Sequence, residues 1–148
     1  MKTAAYKIIV KNNLVAMAIS IGMIVPNWFL LTAAYKSSYV IVIMLIYILA
    51  GAKLLKSSAF RKEFSVILPA AFFLVLLITD LASAGTPRGM YFYTMRINVY
   101  MYQAVLDLTQ GNEPLFNFGL FVTTLLPSAL LLLGMIIRER FAAKHHKL

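Results

Sequence analysis

The sequence predicts an all-α integral membrane protein with four transmembrane helices, and three observations support that fold class. Hydrophobic residues make up 61% of the 148-residue chain, and the mean hydropathy of +0.83 lies far above the usual soluble range. They are concentrated in four runs, each close to the roughly 20 residues that a helix needs to cross the hydrocarbon core. The basic residues gather on one side of these runs. We therefore expect a single transmembrane domain, residues 1–148, with spans at 14–31, 39–55, 64–83 and 115–137.

Charge placement predicts the orientation of the chain. With the N-terminus in the cytoplasm, the inner segments hold 11 of the 14 basic residues and two of the five acidic ones. Short cytoplasmic loops are enriched in Lys and Arg, so both termini are predicted to be cytoplasmic. The net charge of +9 then indicates a bilayer with anionic headgroups at the inner face as the partner, and not nucleic acid. A plasma membrane of bacterial type is expected.

The first span, residues 14–31, is interpreted as an uncleaved helix because its apolar stretch is longer than a usual signal-peptide core. Residues 4–10 are apolar enough to extend it inward or to lie along the surface. Trp28 is predicted to anchor its outer end, where amphipathic rings prefer the membrane interface. Two pairs of small residues four apart mark faces on which another helix can pack closely, Ala16 with Ser20 and Ala18 with Gly22.

The second span, residues 39–55, is the shortest, and Lys53 and Lys56 at its end are expected to snorkel to the interface. Its small residues, Ala50 to Ala52, predict another close helix contact. The third span, residues 64–83, contains Asp80, the only acidic residue within any span. An ionisable group inside a membrane is a functional candidate, but we expect Asp80 to lie near the outer interface, beside water or Arg88.

Residues 90–109 are predicted to form an outer amphipathic helix that lies in the interface or caps the bundle. On a helix, Arg96, Tyr100, Gln103 and Asp107 would share one polar stripe, and Arg96 and Asp107 are its charged candidates for function. The aromatic and β-branched content leaves a strand hairpin as the alternative. The expected interface anchors of this segment are Tyr91, Tyr93, Tyr100 and Tyr102.

The fourth span, residues 115–137, follows Asn112 and a proline at position 114 that suits the start of a helix. Pro127 near its centre leaves the carbonyl of Thr123 without its usual donor, which predicts a kink. Nearby hydroxyls are expected to re-satisfy the freed groups. A hinge or polar pathway lining is the functional interpretation, and a packing kink is the other. Residues 138–140 are interpreted as a helix-end anchor.

No constellation of residues predicts catalysis. The chain has no Cys, and neither a phosphate-binding loop nor a metal-ligand pattern is present, so no cofactor is expected. The sequence therefore predicts a non-enzymatic accessory or structural subunit of a larger membrane complex, with an integral membrane protein as its partner. One alternative is a homo-oligomeric transporter or pore, whose lumen should show a polar stripe along a whole span. The other is an immunity protein against a membrane-active peptide.

Overall fold

The computed structural model describes residues 2–25, 37–56, 62–82, 105, 107–110 and 112–145, and these are entirely helical apart from turns and short connections. The prediction of an all-α fold is confirmed for this part of the chain, which contains no strand. Residues 105 and 107–109 are also helical, at the end of the predicted outer segment. The elements are α1 (Lys2–Gly22), α2 (Ser37–Leu54), a 3-10 helix (Lys62–Val66), α3 (Ile67–Ala82) and α4 (Glu113–His145).

Three helical stretches are long and apolar enough to cross a membrane, which makes the chain compatible with an integral membrane protein. They are Thr3–Gly22, Lys62–Thr79 and Pro114–Ala143. The apolar stretch of α2, Val40–Leu54, is shorter. The second predicted span therefore stays a prediction.

The first helix extends beyond the predicted span at its N-terminal end, as the first of the two expectations for residues 4–10 had it. α1 begins at Lys2, twelve residues before Leu14, because Lys7 and Lys11 interrupt the apolar run without interrupting the helix. Lysine is a good helix former, so charge ends the hydrophobic stretch and leaves the backbone helical. The remainder of the predicted first span, residues 26–31 with Trp28, lies outside the described residues.

α4 is longer than the predicted fourth span, residues 115–137. It continues eight residues beyond Ile137, again through charged residues, and its 33 residues extend over about 50 Å at 1.5 Å per residue. Asn112 caps its start: Oδ1 accepts the N–H of Leu115 at 3.2 Å, and its backbone carbonyl accepts the N–H of Phe116. A side-chain acceptor here satisfies one of the N–H groups that the first turn leaves without a partner.

α4 is the central helix of the bundle, and half of an 18-residue stretch in its apolar part is buried inside the fold. Its largest contact is with α2 and the next with α3, while α1 packs mainly on the 3-10 helix and α3. The larger core cluster lies between α1, α2 and α4, and the smaller one between α3 and α4. The buried residues of the larger cluster include Ala16, Ile43, Tyr47, Leu55, Val66, Leu130, Leu131 and Met135.

α2 and α4 run parallel and touch through their backbones. A Cβ added at Gly51 would overlap the carbonyl of Leu131, and one added at Gly134 would overlap the carbonyl of Ile48. Contacts this close are possible only for glycine and are typical of helices packed in a membrane. The predicted close contact on the second span therefore occurs at Gly51, whereas the need for Gly134 was not predicted.

Candidate interaction site on the first helix

Asn12 joins α1 to the end of α2. Its side chain is 1% exposed, and its Nδ2 donates to the backbone carbonyl of Lys56 at 2.8 Å. Its Oδ1 accepts the N–H of the same residue at 2.9 Å. A primary amide has both a donor and an acceptor, so it satisfies both backbone groups of one residue at the point where α2 has just ended. This pairing places Asn12 beside the C-terminal end of α2 along the axis of the bundle.

Asn13 joins α1 to the start of α3. Its Nδ2 donates to the carbonyl of Phe64, and its Oδ1 accepts the N–H of Leu68 at 2.9 Å. These two backbone groups are four residues apart and would bond to each other in a regular α-helix. The amide of Asn13 stands between them, at the point where the 3-10 helix passes into α3.

Arg138 joins α4 to the end of α2. Its Nη1 donates to the carbonyls of Ala52 at 3.0 Å and Leu55 at 2.5 Å, which belong to the last turn of α2 and the residue after it. The last carbonyls of a helix accept no hydrogen bond from within the helix. A guanidinium can donate to them, and its positive charge interacts favourably with the negative end of the helix dipole. Glu139 forms an ion pair with Lys62. The interpretation of residues 138–140 as a helix-end anchor did not include these contacts of Arg138 and Glu139.

We call the end of the bundle that holds these contacts the basic end. Lys53, Lys56 and Arg140 are exposed there. Because Asn12 lies at this level, the ten preceding residues of α1 continue past the ends of α2 and α3 by about 15 Å. Residues 3–11 include no buried side chain.

α1 has two faces with similar spacing and different surroundings. The bundle face comprises four buried residues, Asn12, Ala16, Ser20 and Met23. The outer face comprises six residues spaced alternately four and three apart, and every one of them is exposed. A repeat of 3.5 residues is the spacing of a seam between two helices packed at a shallow left-handed angle. The outer face consists of Lys7, Lys11, Leu14, Ala18, Ile21 and Val25.

Gly22 borders the outer face, and nothing in the described fold requires a glycine there. A Cβ added at Gly22 would meet no atom within 4 Å, unlike one at Gly51 or Gly134. Its φ is not in the positive region. The next residue, Met23, still donates its N–H to the carbonyl of Ile19 at 2.9 Å, as in a regular α-helix. Backbone conformation and internal packing therefore both leave this glycine unexplained.

The described part of the molecule gives the backbone position of Asp80 and the side-chain exposure of Asp107. Asp80 lies within α3, 13 residues after Ile67 or about 20 Å along the helix, but its side chain is outside the described residues. Asp107 is exposed on the short helical segment 107–109. The other predicted candidates and anchors lie outside the described residues: Tyr91, Tyr93, Arg96, Tyr100 and Tyr102.

Pro127 lies inside α4 as predicted, and helix assignment continues through it. The hydroxyl of Thr123 donates to the carbonyl of Leu120 at 2.6 Å, and that of Thr124 donates to Phe121 at 2.7 Å. Both bonds run to the preceding turn, so neither hydroxyl serves the carbonyl that Pro127 leaves free, contrary to the expectation. The hinge role of Pro127 and Thr123 stays a prediction.

Two apolar grooves lie on the described part of the molecule. The described residues contain no group of three His, Cys, Asp or Glu that could hold a metal ion. A groove of about 500 Å³ between α2 and α4 has an almost wholly apolar lining, as does one of about 290 Å³ between α3 and α4.

Sequence reasoning missed Asn12 and Asn13, and it identified only Ala18 and the neighbouring Gly22 from the outer face of α1. Two adjacent amides at the start of an apolar run were the available signal for the first two, because a polar side chain there needs a partner. The first span was taken to begin at Leu14, which separated Lys7 and Lys11 from the rest of the outer face. No protein family, curated protein or solved structure matches this chain.

Proposed function

We propose that this chain is a non-enzymatic accessory subunit of a larger membrane complex, and that a helix of its partner packs on the outer face of α1. The observation that carries the proposal is an exposed pair of small residues, Ala18 on that face and Gly22 at its border. Lipid tails are as apolar as large aliphatic side chains, so a small residue facing lipid gains nothing. Facing another helix, it permits close backbone approach.

The other glycine contacts in the same chain support this reasoning. Gly51 and Gly134 each have a helix backbone where a Cβ would otherwise stand. Ala16 and Ser20, on the bundle face, are fully buried. The pair Ala18 and Gly22 has the same four-residue spacing and no such neighbour among the described residues, which is what an interface with a second protein requires.

The proposed topology has four spans, with α2 as the second and both termini in the cytoplasm. The parallel packing of α2 and α4 fits a chain that crosses the membrane alternately. The basic end then faces the cytoplasm, where Lys53, Lys56 and Arg140 meet anionic headgroups. We propose a bacterial-type plasma membrane on the same charge argument.

A homo-oligomeric pore is less consistent with the burial pattern. The polar residues of α4 that would line a shared lumen, Thr123, Thr124 and Ser128, are buried inside the chain's own fold. A lumen between copies needs polar residues on the outer surface of each copy. The immunity-protein alternative also predicts a partner, and the partner's identity would separate it from the subunit role.

Native mass spectrometry of the tagged protein, extracted from its own membrane in a mild detergent, tests the proposal. We expect co-purification with a different integral membrane protein at fixed stoichiometry. The double variant Ala18→Leu/Gly22→Leu should lose that protein, whereas the control Ala71→Leu, exposed on α3, should retain it. A homogeneous homo-oligomer with no second protein would overturn the proposal.

A further inference from the structure

We propose that the partner carries acidic side chains on the cytoplasmic side of its membrane helix, where they face Lys7 and Lys11. This inference rests on the proposed function, and it adds the chemistry by which the partner is recognised. Both lysines belong to the outer face of α1, in the same alternating register as Leu14 and Ala18. A helix that follows this face through the membrane therefore passes both lysines when it leaves the membrane.

The position of the two lysines follows from the contact between Asn12 and Lys56. Lys11 directly precedes Asn12, and Lys7 lies five residues before it, about 7.5 Å further along the helix. Both ammonium groups are therefore expected at or just beyond the basic end, in a zone where a partner's juxtamembrane residues emerge. Electrostatic interactions between these ammonium groups and nearby carboxylates of a partner are only partly screened, since the Debye length is about 8 Å at physiological salt.

α1 carries no counter-charge of its own, and the acidic residue of the adjacent 3-10 helix, Glu63, lies beyond Lys11 at the level of Asn13. Residues 2–25 contain no Asp or Glu. The ion pair found among the described side chains, between Lys62 and Glu139, lies between the 3-10 helix and α4. An acidic group from a second protein would complement the two lysines, and complementary charge at a helix seam selects the partner.

A second copy of this chain fits the outer face poorly. Two copies inserted in the same orientation and related by a two-fold axis along the membrane normal pair α1 with α1 in parallel. Lys7 and Lys11 would then lie opposite their own copies, and like charges at such positions oppose association. The same two residues that attract an acidic partner thus disfavour self-association through this face.

Charge reversal tests the inference against matched lysines at the same end of the bundle. The variant Lys7→Glu/Lys11→Glu is compared with Lys53→Glu/Lys56→Glu, whose side chains are exposed at the end of α2 but lie off the outer face. We expect the first variant to reduce co-purified partner by about tenfold or more and the second to change it by less than about twofold. Lys7→Arg/Lys11→Arg should retain the partner. Accessibility of a C-terminal tag checks that the orientation is unchanged.

The outcomes separate the inference from the proposal beneath it. If Ala18→Leu/Gly22→Leu loses the partner and Lys7→Glu/Lys11→Glu keeps it, the outer face is an interface and the acidic complement is wrong. Equal losses from both charge-reversed pairs would mean that anionic lipid, and not an acidic partner, uses these lysines. If the wild-type chain has no partner, the proposed function fails and this inference fails with it.

Discussion

The bundle face and the outer face of α1 have similar spacing and small residues at corresponding depths, but their environments differ. Ala16 and Ser20 are fully buried, whereas Ala18 and Gly22, two residues further along, are exposed. The bundle face begins with an amide that pairs with the backbone of Lys56. The outer face begins with two lysines, Lys7 and Lys11.

The difference indicates how one helix can serve two contacts. An amide can be buried because the N–H and carbonyl of a single residue satisfy it, so Asn12 fixes α1 within its own chain. A lysine at the membrane surface keeps its charge hydrated and suits a contact that forms between proteins. We therefore expect substitutions on the bundle face to change folding and those on the outer face to change association.

The largest effect on stability is expected for Ser20→Leu. Ser20 is fully buried, so the larger side chain overpacks the contact between α1 and the bundle and destabilises the chain by about 1–3 kcal/mol or more. Thermal unfolding of the purified protein in detergent measures this. Ala18→Leu, on the outer face, should stay within about 0.5 kcal/mol of wild type. Equal losses would mean that the outer face is occupied within the chain.

Asn12→Leu should follow, with a loss of about 1–3 kcal/mol, because the N–H and carbonyl of Lys56 lose their buried partner while the side-chain volume is nearly kept. The control is Leu14→Ala on the outer face, where 61% of the residue is exposed. The same unfolding assay compares the two. A neutral Asn12→Leu would show that water or detergent replaces the amide at no cost.

Arg138→Met should cost about 1–2 kcal/mol, because the carbonyls of Ala52 and Leu55 lose a charged donor and the apolar stem is preserved. Arg140→Met, which changes an exposed neighbour, should have no measurable effect. Unfolding in detergent again provides the readout. Equal stability of the two variants would show that Arg138 does not cap α2.

The smallest effect is expected for Gly22→Ala, and its sign is informative. No contact is lost, and alanine favours the helix, so the isolated chain should gain up to about 1 kcal/mol of stability. The same change should weaken association with the partner, as followed by native mass spectrometry. A more stable chain with unchanged association would remove the main reason for placing a partner helix at this position.

The sequence was sufficient for the helical class because long apolar runs exclude most other structures. It also predicted the close contact at Gly51 and a helix start near Asn112. It left the start of α1 open between two alternatives, since hydropathy reports where a helix becomes apolar and not where the helix begins.

The polar contacts of the basic end could not be predicted from one sequence. Asn12 and Lys56 are 44 residues apart, and Arg138 and Ala52 are 86 apart. Each pairing depends on how the helices are rotated and shifted against one another, which apolar periodicity leaves open. The separation of α1 into a bundle face and an outer face depends on the same rotation.

Site-specific photo-crosslinking in native membranes tests the central claim most directly. A photoreactive amino acid at Ile21, on the outer face of α1, is compared with one at Leu45, which is similarly exposed on α2. The account predicts one discrete protein adduct, of a mass that is not a multiple of this chain, from position 21 and none from position 45. Adducts of the chain with itself, or no protein adduct at position 21, would contradict it.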